Sequence, residues 1–322
     1  MGFAVLTMGR VGVDVYPLQT GVGLADVTSF GKYLGGSPSN VAVAAARYGH
    51  SAAVITKTGG DPFGDFVRSA LEGYGVDSRF VGTSPIAPTP VTFCEIFPPD
   101  DFPLYAYRLP KAPDLDLVAE EQDLQAVRSA RVFWMTGTGL SEEPSRSATL
   151  TALEHREKSH PTVFDLDWRE TFWSDPAQAP SRYREALRHA TVTVGNLEEC
   201  EVATGEREPH AAAEALLDAG VELAVVKQGP AGVLAMGRDG EAVEIPPSPV
   251  EVVNGLGAGD AFGGALCHGL LSGWDTRRTM AFANAAGALV AGRLACSDAM
   301  PTEEQVAAKL RATHSDEPSG EV

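Results

Sequence analysis

Cysteine is scarce in this chain: Cys94, Cys200, Cys267 and Cys296 stand far apart with no CxxC pair, which excludes a disulfide framework and a zinc knuckle. Reduced, buried thiols are the expectation. Cations are in deficit too, with 25 Lys plus Arg against 43 Asp plus Glu and a formal charge of −18. Such a surface repels nucleic-acid phosphates and anionic membranes at long range, so neither is an expected partner. A small anionic ligand survives that argument, because a few local cations and backbone N–H groups outweigh a diffuse, screened field. Long apolar runs are also missing. None could span a bilayer, and the opening residues 1–8 are too short for a signal core and lack a basic flank, so a cytoplasmic location is expected.

Several chemical signatures are absent. The one Gly-Lys, Gly31-Lys32, is followed by Tyr33 rather than Ser or Thr, so there is no P-loop to cradle a nucleotide. No strand-to-helix turn carries Gly-x-Gly-x-x-Gly, which removes the usual anchor of a nicotinamide dinucleotide. The seven histidines are scattered, without metal-ligand spacing.

What remains is a chain of 322 residues, 44% hydrophobic, enough for one large α/β core. Residues 3–8 read as a buried strand ending in the sharp turn Gly9-Arg10-Val11-Gly12-Val13-Asp14, and ligands gather at such strand ends. Residues 15–34 lack a helical period and read as short strands leaving the main sheet. Gly35-Gly36-Ser37-Pro38-Ser39-Asn40 opens an Ala-rich helix, 52–58 is a strand, and 63–74 is a helix with Pro62 in its first turn. Two alternating stretches, 92–97 and 104–108, separated by Pro98-Pro99-Asp100-Asp101, read as a hairpin. From residue 119 helices alternate with apolar strands at 132–136, 163–167, 192–196 and 223–227, the rhythm of a mostly parallel sheet. Residues 258–271, 276–290 and 303–311 read as helices, and 315–322 as a polar, frayed tail. The expected organisation is one α/β domain over 1–322, with a small flap built from 10–35 and 89–112.

Gly255-Leu256-Gly257-Ala258-Gly259-Asp260 has the form of an anion site. Glycines let the backbone approach closely, and the N–H groups that open the following helix favour negative charge. A carboxylate in that first turn could take a hydroxyl proton while the amides hold a phosphoryl group. An ordinary glycine turn capped by Asp260 remains open on the motif alone.

Four motifs in order carry a resemblance: Gly35-Gly36 with Asn40, Gly60-Asp61-Pro62-Phe63-Gly64, Asn196-Leu197-Glu198-Glu199, and Gly257-Ala258-Gly259-Asp260. The chain resembles the ribokinase (PfkB) family of carbohydrate kinases from its first strand to about residue 302. The resemblance implies an αβα sandwich with a central, mostly parallel sheet and a small β-sheet lid that closes over the sugar and excludes water. It implies ATP as phosphoryl donor and Asp260 as base, with Gly257, Ala258 and Gly259 forming the anion hole. Asn196 and Glu199 match an Asn-x-x-Glu motif that supports Mg²⁺ through water, although a helix cap explains the same pair. Lys227, Gly229 and Gly232 resemble the nucleotide loop, with a plain β-turn as the alternative. Asn284 falls on a helix flanking the adenine, where it could equally be an exposed residue. The chain departs from the family in one place: Val253-Asn254-Gly255-Leu256 replaces the Asp-Thr segment that helps bind a monovalent cation, which leaves K⁺ activation open.

Asp14, Gly35, Gly36 and Asn40 match positions that hold sugar hydroxyls in the family. On the lid, Leu104-Tyr105-Ala106-Tyr107-Arg108-Leu109-Pro110-Lys111 suggests an acidic sugar, with Arg108 holding a carboxylate bidentately and Tyr107 adding a hydrogen bond. An edge strand protected by Arg and Lys is the alternative. Asp165-Leu166-Asp167-Trp168-Arg169 resembles a segment of keto-deoxy-gluconate kinases that brings a second arginine, Arg169, to the acid end. Lys111-Ala112-Pro113-Asp114-Leu115, the Asp165-Leu166-Asp167-Trp168-Arg169 strand and Asn254-Gly255-Leu256-Gly257-Ala258-Gly259-Asp260 resemble most the branch acting on 5-dehydro-2-deoxy-D-gluconate at its 6-hydroxyl. Kinases of 2-dehydro-3-deoxygluconate, fructose, ribose or a nucleoside are the alternatives. A non-catalytic sugar-binding regulator is a different class, disfavoured because Asp260, Asn196 and Glu199 are all present. A homodimer or higher homo-oligomer is compatible with the sequence.

Overall fold

The computed structural model describes residues 2–315. Among them, ten strands form one large sheet in the order Ala242–Ile245, Val233–Gly237, Leu223–Lys227, Val192–Asn196, Thr162–Asp165, Val132–Thr136, Val5–Met8, Ala52–Gly59 and Val76–Asp77, with Val81–Ser84 also pairing with Ala52–Gly59. The pairings from Leu223–Lys227 to Val76–Asp77 are parallel and the last two strands of the chain antiparallel.

The central strands are buried along their whole length because both faces are covered. Alternation divides them between two cores. Val5, Val54, Val132, Trp134 and Val225 face helices Ser37–Arg47, Ala258–Ser272 and Thr276–Ala291. Leu6, Met8, Phe133, Met135 and Val226 face helices such as Ser145–Arg156 and Ala179–Leu187 on the other side. The result is the expected αβα sandwich.

A separate sheet of four strands, in the order Phe30–Gly35, Gly12–Pro17, Val91–Cys94, Leu104–Tyr107, stands beside the strand ends. It contains the hairpin expected from alternation at 92–108, whose strands pair antiparallel. Several boundaries differ: the first strand begins at Val5 rather than 3, and the first strand of the hairpin ends at Cys94 rather than 97. The strand expected over 163–167 ends at Asp165, because Asp167 adopts φ 35°, a left-handed conformation that takes a non-glycine residue out of the ladder. The last helix runs from Glu303 to Ser315 rather than stopping at 311; the rest of the tail expected there, 316–322, lies outside the described residues.

Candidate active site

The parallel strands end on one side of the sheet, and the small sheet overhangs that side. Between them lies a cavity of about 900 Å³. Strand ends, helix starts and the overhanging sheet deliver the polar side chains to it.

Helix Ala258–Ser272 begins at Gly257, whose φ of 80° and close approach to Cys296 (an added Cβ would lie 2.6 Å from Sγ) leave room only for glycine. Its first turn carries Asp260. Asn40 Nδ2 donates to Asp260 Oδ2 over 2.7 Å, and Ser297 Oγ donates to Asn40 Oδ1 over 2.5 Å, which fixes the amide's orientation. Burial raises the Asp260 pKa, against the hydrogen bonds from Asn40 and Ser37 and the charge of Arg10. Lys227, at the end of its strand, directs Nζ to the same helix start, where an added Cβ on Gly259 would lie 3.3 Å away. Burial opposes the ammonium, but Glu199, Asp165, Asp260 and Asp167 outweigh it and its pKa rises.

Asp14, on strand Gly12–Pro17, accepts from the Tyr16 hydroxyl at 2.7 Å. Its burial pushes the carboxyl up to about 6, while Tyr16 and Arg10 pull the other way. Gly36 stands opposite at φ 101°, with an added Cβ only 2.5 Å from the Arg10 carbonyl, so the backbone itself forms that wall.

Charge is dense but paired. Arg10 grips Asp167 side-on, with Nη2 3.0 Å from each carboxylate oxygen and Nε 3.2 Å from Oδ2, and Arg169 approaches the same carboxylate at 3.3 Å. Against the effect of burial, these cations hold Asp167 below the usual carboxylate range. Asp165 faces Ser37 Oγ at 3.4 Å, and its pKa is raised well above the usual range by burial, then by Asp167, Glu199 and Asp260, against Lys227. Asn196 and Glu199 form a reciprocal cap: Glu199 N donates to Asn196 Oδ1 (2.9 Å) and Asn196 N to Glu199 Oε2 (2.7 Å). The cap reading of this pair therefore holds, and both residues also line the cavity. No three acidic, His or Cys side chains gather around a direct metal position among the described residues.

Of the residues singled out in the sequence, Asp14, Gly36, Asn40, Arg108, Asn196, Glu199, Gly229 and the Gly257-Gly259-Asp260 turn line the cavity together with Arg169 and Lys227. Others stand elsewhere. Tyr107 is 69% exposed and packs its ring edge-on to Phe93. On a strand, Leu104 and Ala106 face the cavity, so Tyr107 turns away by period 2. Arg108 lines the cavity, but it already donates to the buried Asp114 at 2.7 Å. Gly35 packs under the Asp14 carboxyl, Gly232 under the Ile245 carbonyl, and Ala258 opens the helix behind the turn. Asn284 Nδ2 donates to the Pro246 carbonyl at 2.6 Å, outside the cavity lining. Asn254 is closed on itself, donating to Leu294 O (2.7 Å) and accepting from Leu256 N (3.0 Å).

Sequence reading passed over Arg10, Tyr16, Ser37, Phe172 and Ser297. Arg10 lay in view in the turn after the first strand, but its partner is 157 residues away. The polar end of an otherwise apolar strand was the available signal.

A protein-family model described as pfkB family carbohydrate kinase matches residues 4–303. A 5-dehydro-2-deoxygluconokinase of Clostridium tetani is 33% identical over 309 residues, covering 94% of this chain and 91% of that protein. Among solved structures, a Ribokinase II from E. coli in complex with ATP and Mg²⁺ has a TM-score of 0.87 at 23% identity, covering 97% of this chain and 100% of that one. A fructokinase double mutant from Vibrio cholerae O395, in its fructose-, ADP- and potassium-bound form, has a TM-score of 0.83 at 26% identity, covering 96% and 99%. With the αβα body, the overhanging sheet and a family match over nearly its whole length, this chain belongs to the pfkB family of carbohydrate kinases, phosphotransferases acting on a sugar hydroxyl.

Proposed function

We propose that this kinase transfers the γ-phosphoryl group of ATP to the 6-hydroxyl of 5-dehydro-2-deoxy-D-gluconate. One observation carries the chemistry: Asp260 stands at the start of a helix, oriented by Asn40 at 2.7 Å, with the Lys227 ammonium beside the same turn. A carboxylate so placed accepts the hydroxyl proton as the oxygen attacks phosphorus. The N–H groups of Gly257, Ala258 and Gly259, with Lys227, take up the charge on the transferring group. Burial favours this role, because a carboxyl with a raised pKa is a stronger base.

Asp14, Gly36 and Asn40 hold the sugar hydroxyls. Arg108 and Arg169 face the acid end, and the small sheet acts as the lid. Mg²⁺, when bound, neutralises part of the phosphate charge. Asn196 and Glu199 are committed to their reciprocal cap and fit an ion that keeps its own waters rather than one ligated directly. Gly229 belongs to the nucleotide end. The closed Asn254 contributes no charge to a K⁺ site. The relative from Clostridium tetani, by its name a 5-dehydro-2-deoxygluconokinase, supports the substrate choice.

An ADP-release assay over 5-dehydro-2-deoxygluconate, 2-dehydro-3-deoxygluconate, fructose and ribose, with and without K⁺, tests the reading. The first substrate is expected to give the highest kcat/KM, and a neutral sugar in first place would overturn it. Asp260→Asn is expected to lower kcat by roughly 10³-fold with nucleotide binding retained. Near-normal turnover in that variant removes Asp260 from the mechanism.

A further inference from the structure

Phe172 belongs to the loop that follows strand Thr162–Asp165, in the short helix Glu170–Phe172. Its half-buried ring lines the cavity without contributing a polar group. Two guanidinium groups lie over that one ring. The Arg10 group, from the body, is 5.9 Å from its centroid, and the Arg108 group, from the small sheet, is 4.7 Å away. Both distances are within the range at which a cation is drawn to an aromatic face.

Each arginine is also tethered from behind by a buried carboxylate, Arg10 by Asp167 and Arg108 by Asp114, which are 4% and 3% exposed. The two tethers occupy Nε and Nη2 of Arg10 and Nη2 of Arg108. Nη1 of each has no hydrogen bond among the described residues. Each guanidinium thus keeps an N–H group for a further acceptor beside the same ring, and carboxylates are the ligands that guanidinium groups read best.

We propose that Phe172 is a positioning residue that aligns Arg10 of the body with Arg108 of the small sheet as a paired receptor for the carboxylate of an acidic sugar. The proposal rests on the sugar-acid reading above and deepens it, adding Arg10 to the acid end. Because Phe172 belongs to a loop of the body and Arg108 follows the outer strand of the small sheet, the ring also sets the position of the small sheet relative to the body when the anion is bound. A neutral sugar, lacking the charge, gains little from the alignment.

The experiment compares Phe172→Leu and Phe172→Tyr with the natural enzyme on 5-dehydro-2-deoxygluconate and on fructose, with thermal melting as the check of folding. Leucine keeps the apolar contact and removes the aromatic face. It is expected to raise KM for the acid about tenfold with kcat within about twofold, so that the preference for acid over fructose falls by about the same factor. Tyrosine, which keeps the face, is expected to restore both. An equal loss on acid and fructose, a loss confined to kcat, or no change in preference overturns the inference while leaving the sugar-acid reading in place. A natural enzyme that already prefers fructose overturns the sugar-acid reading, and the inference with it. A large drop in melting temperature for leucine but not tyrosine, with the acid-to-fructose ratio unmoved, assigns Phe172 to packing alone and likewise overturns it.

Discussion

Asp14 shows how a single side chain is held against its own preference. An aspartate in water titrates near 3.8, whereas burial here pushes it up to about 6. Below the lower value it is protonated in both the folded and unfolded chain. Above the higher one it is ionised in both, and the folded state bears the cost of a desolvated charge. The contribution to stability is therefore present at low pH and lost as pH rises through about 6. A rise of that size in a folded-state pKa corresponds to about 3 kcal/mol. Asp14→Asn is expected to raise the melting temperature at pH 8 and to raise it much less at pH 4, as followed by differential scanning calorimetry. If Asp14 accepts a sugar hydroxyl as proposed, the same variant binds sugar more weakly, the usual exchange between stability and function at a site. An equal stabilisation at both pH values would show that charge is not the cause.

At the scale of elements, helix Ser145–Arg156 is fastened to the opposite edge of the molecule by its own last residue. Arg156 is fully buried, and no carboxylate among the described residues pairs with it. It donates to the carbonyls of Val127, Ala130 and Pro161, at 2.9, 2.6 and 3.0 Å, and to Thr162 Oγ1 at 3.1 Å. Its pKa falls to about 10, through burial alone. These acceptors belong to the segments that lead into strands Val132–Thr136 and Thr162–Asp165, at the ends away from the cavity. Replacing Arg156 with Leu strands several buried carbonyls at once and is expected to cost about 3 kcal/mol. That is a fall of several degrees in melting temperature. The fraction that remains folded should keep its kcat/KM. A variant as stable as the natural protein would mean that water replaces the guanidinium.

Across the whole molecule, packing is uneven in a way that suits a lid. The body has two large cores, one on each face of the main sheet. Among the described residues the small sheet's inner strands lend Val13 and Leu34 to the first of these cores, its own cluster has Tyr16, Cys94, Ile96 and Cys296 as buried members, and its outer strand exposes Leu104, Tyr105 and Tyr107 at 44%, 44% and 69%. Few buried contacts mean a low free energy of local opening. Amides of Leu104–Tyr107 are expected to exchange with deuterium at least tenfold faster than those of Val132–Thr136, and to slow when sugar and a non-hydrolysable ATP analogue are bound together. Uniform protection across both sheets in the free protein would contradict the uneven packing.

Much of this was legible along the chain because its signals are local. Apolar strands alternating with Ala-rich helices announce a covered parallel sheet, and the glycines before Asp260 mark a helix start that an anion can approach closely. The hairpin at 92–108 was legible from period 2, and the same rule shows why Tyr107 could not share the cavity with Ala106 and Leu104. Asn284 was read from its place on a helix, but its partner, the Pro246 carbonyl, is a feature of another segment.

Fold class, family and the position of the proposed base were all written in the order of residues, since each depends on neighbours in the chain or on motifs in a set succession. Which charges meet was settled only when the chain folded. Arg10 reaches Asp167, Arg108 reaches Asp114, and Phe172 lies beside both arginines. Electrostatic pairing depends on separation in space, and the first of these partners stand 157 positions apart in the chain. Nothing in local propensity or periodicity carries that distance; the closing of the sheet and the placing of the small sheet above it supply it.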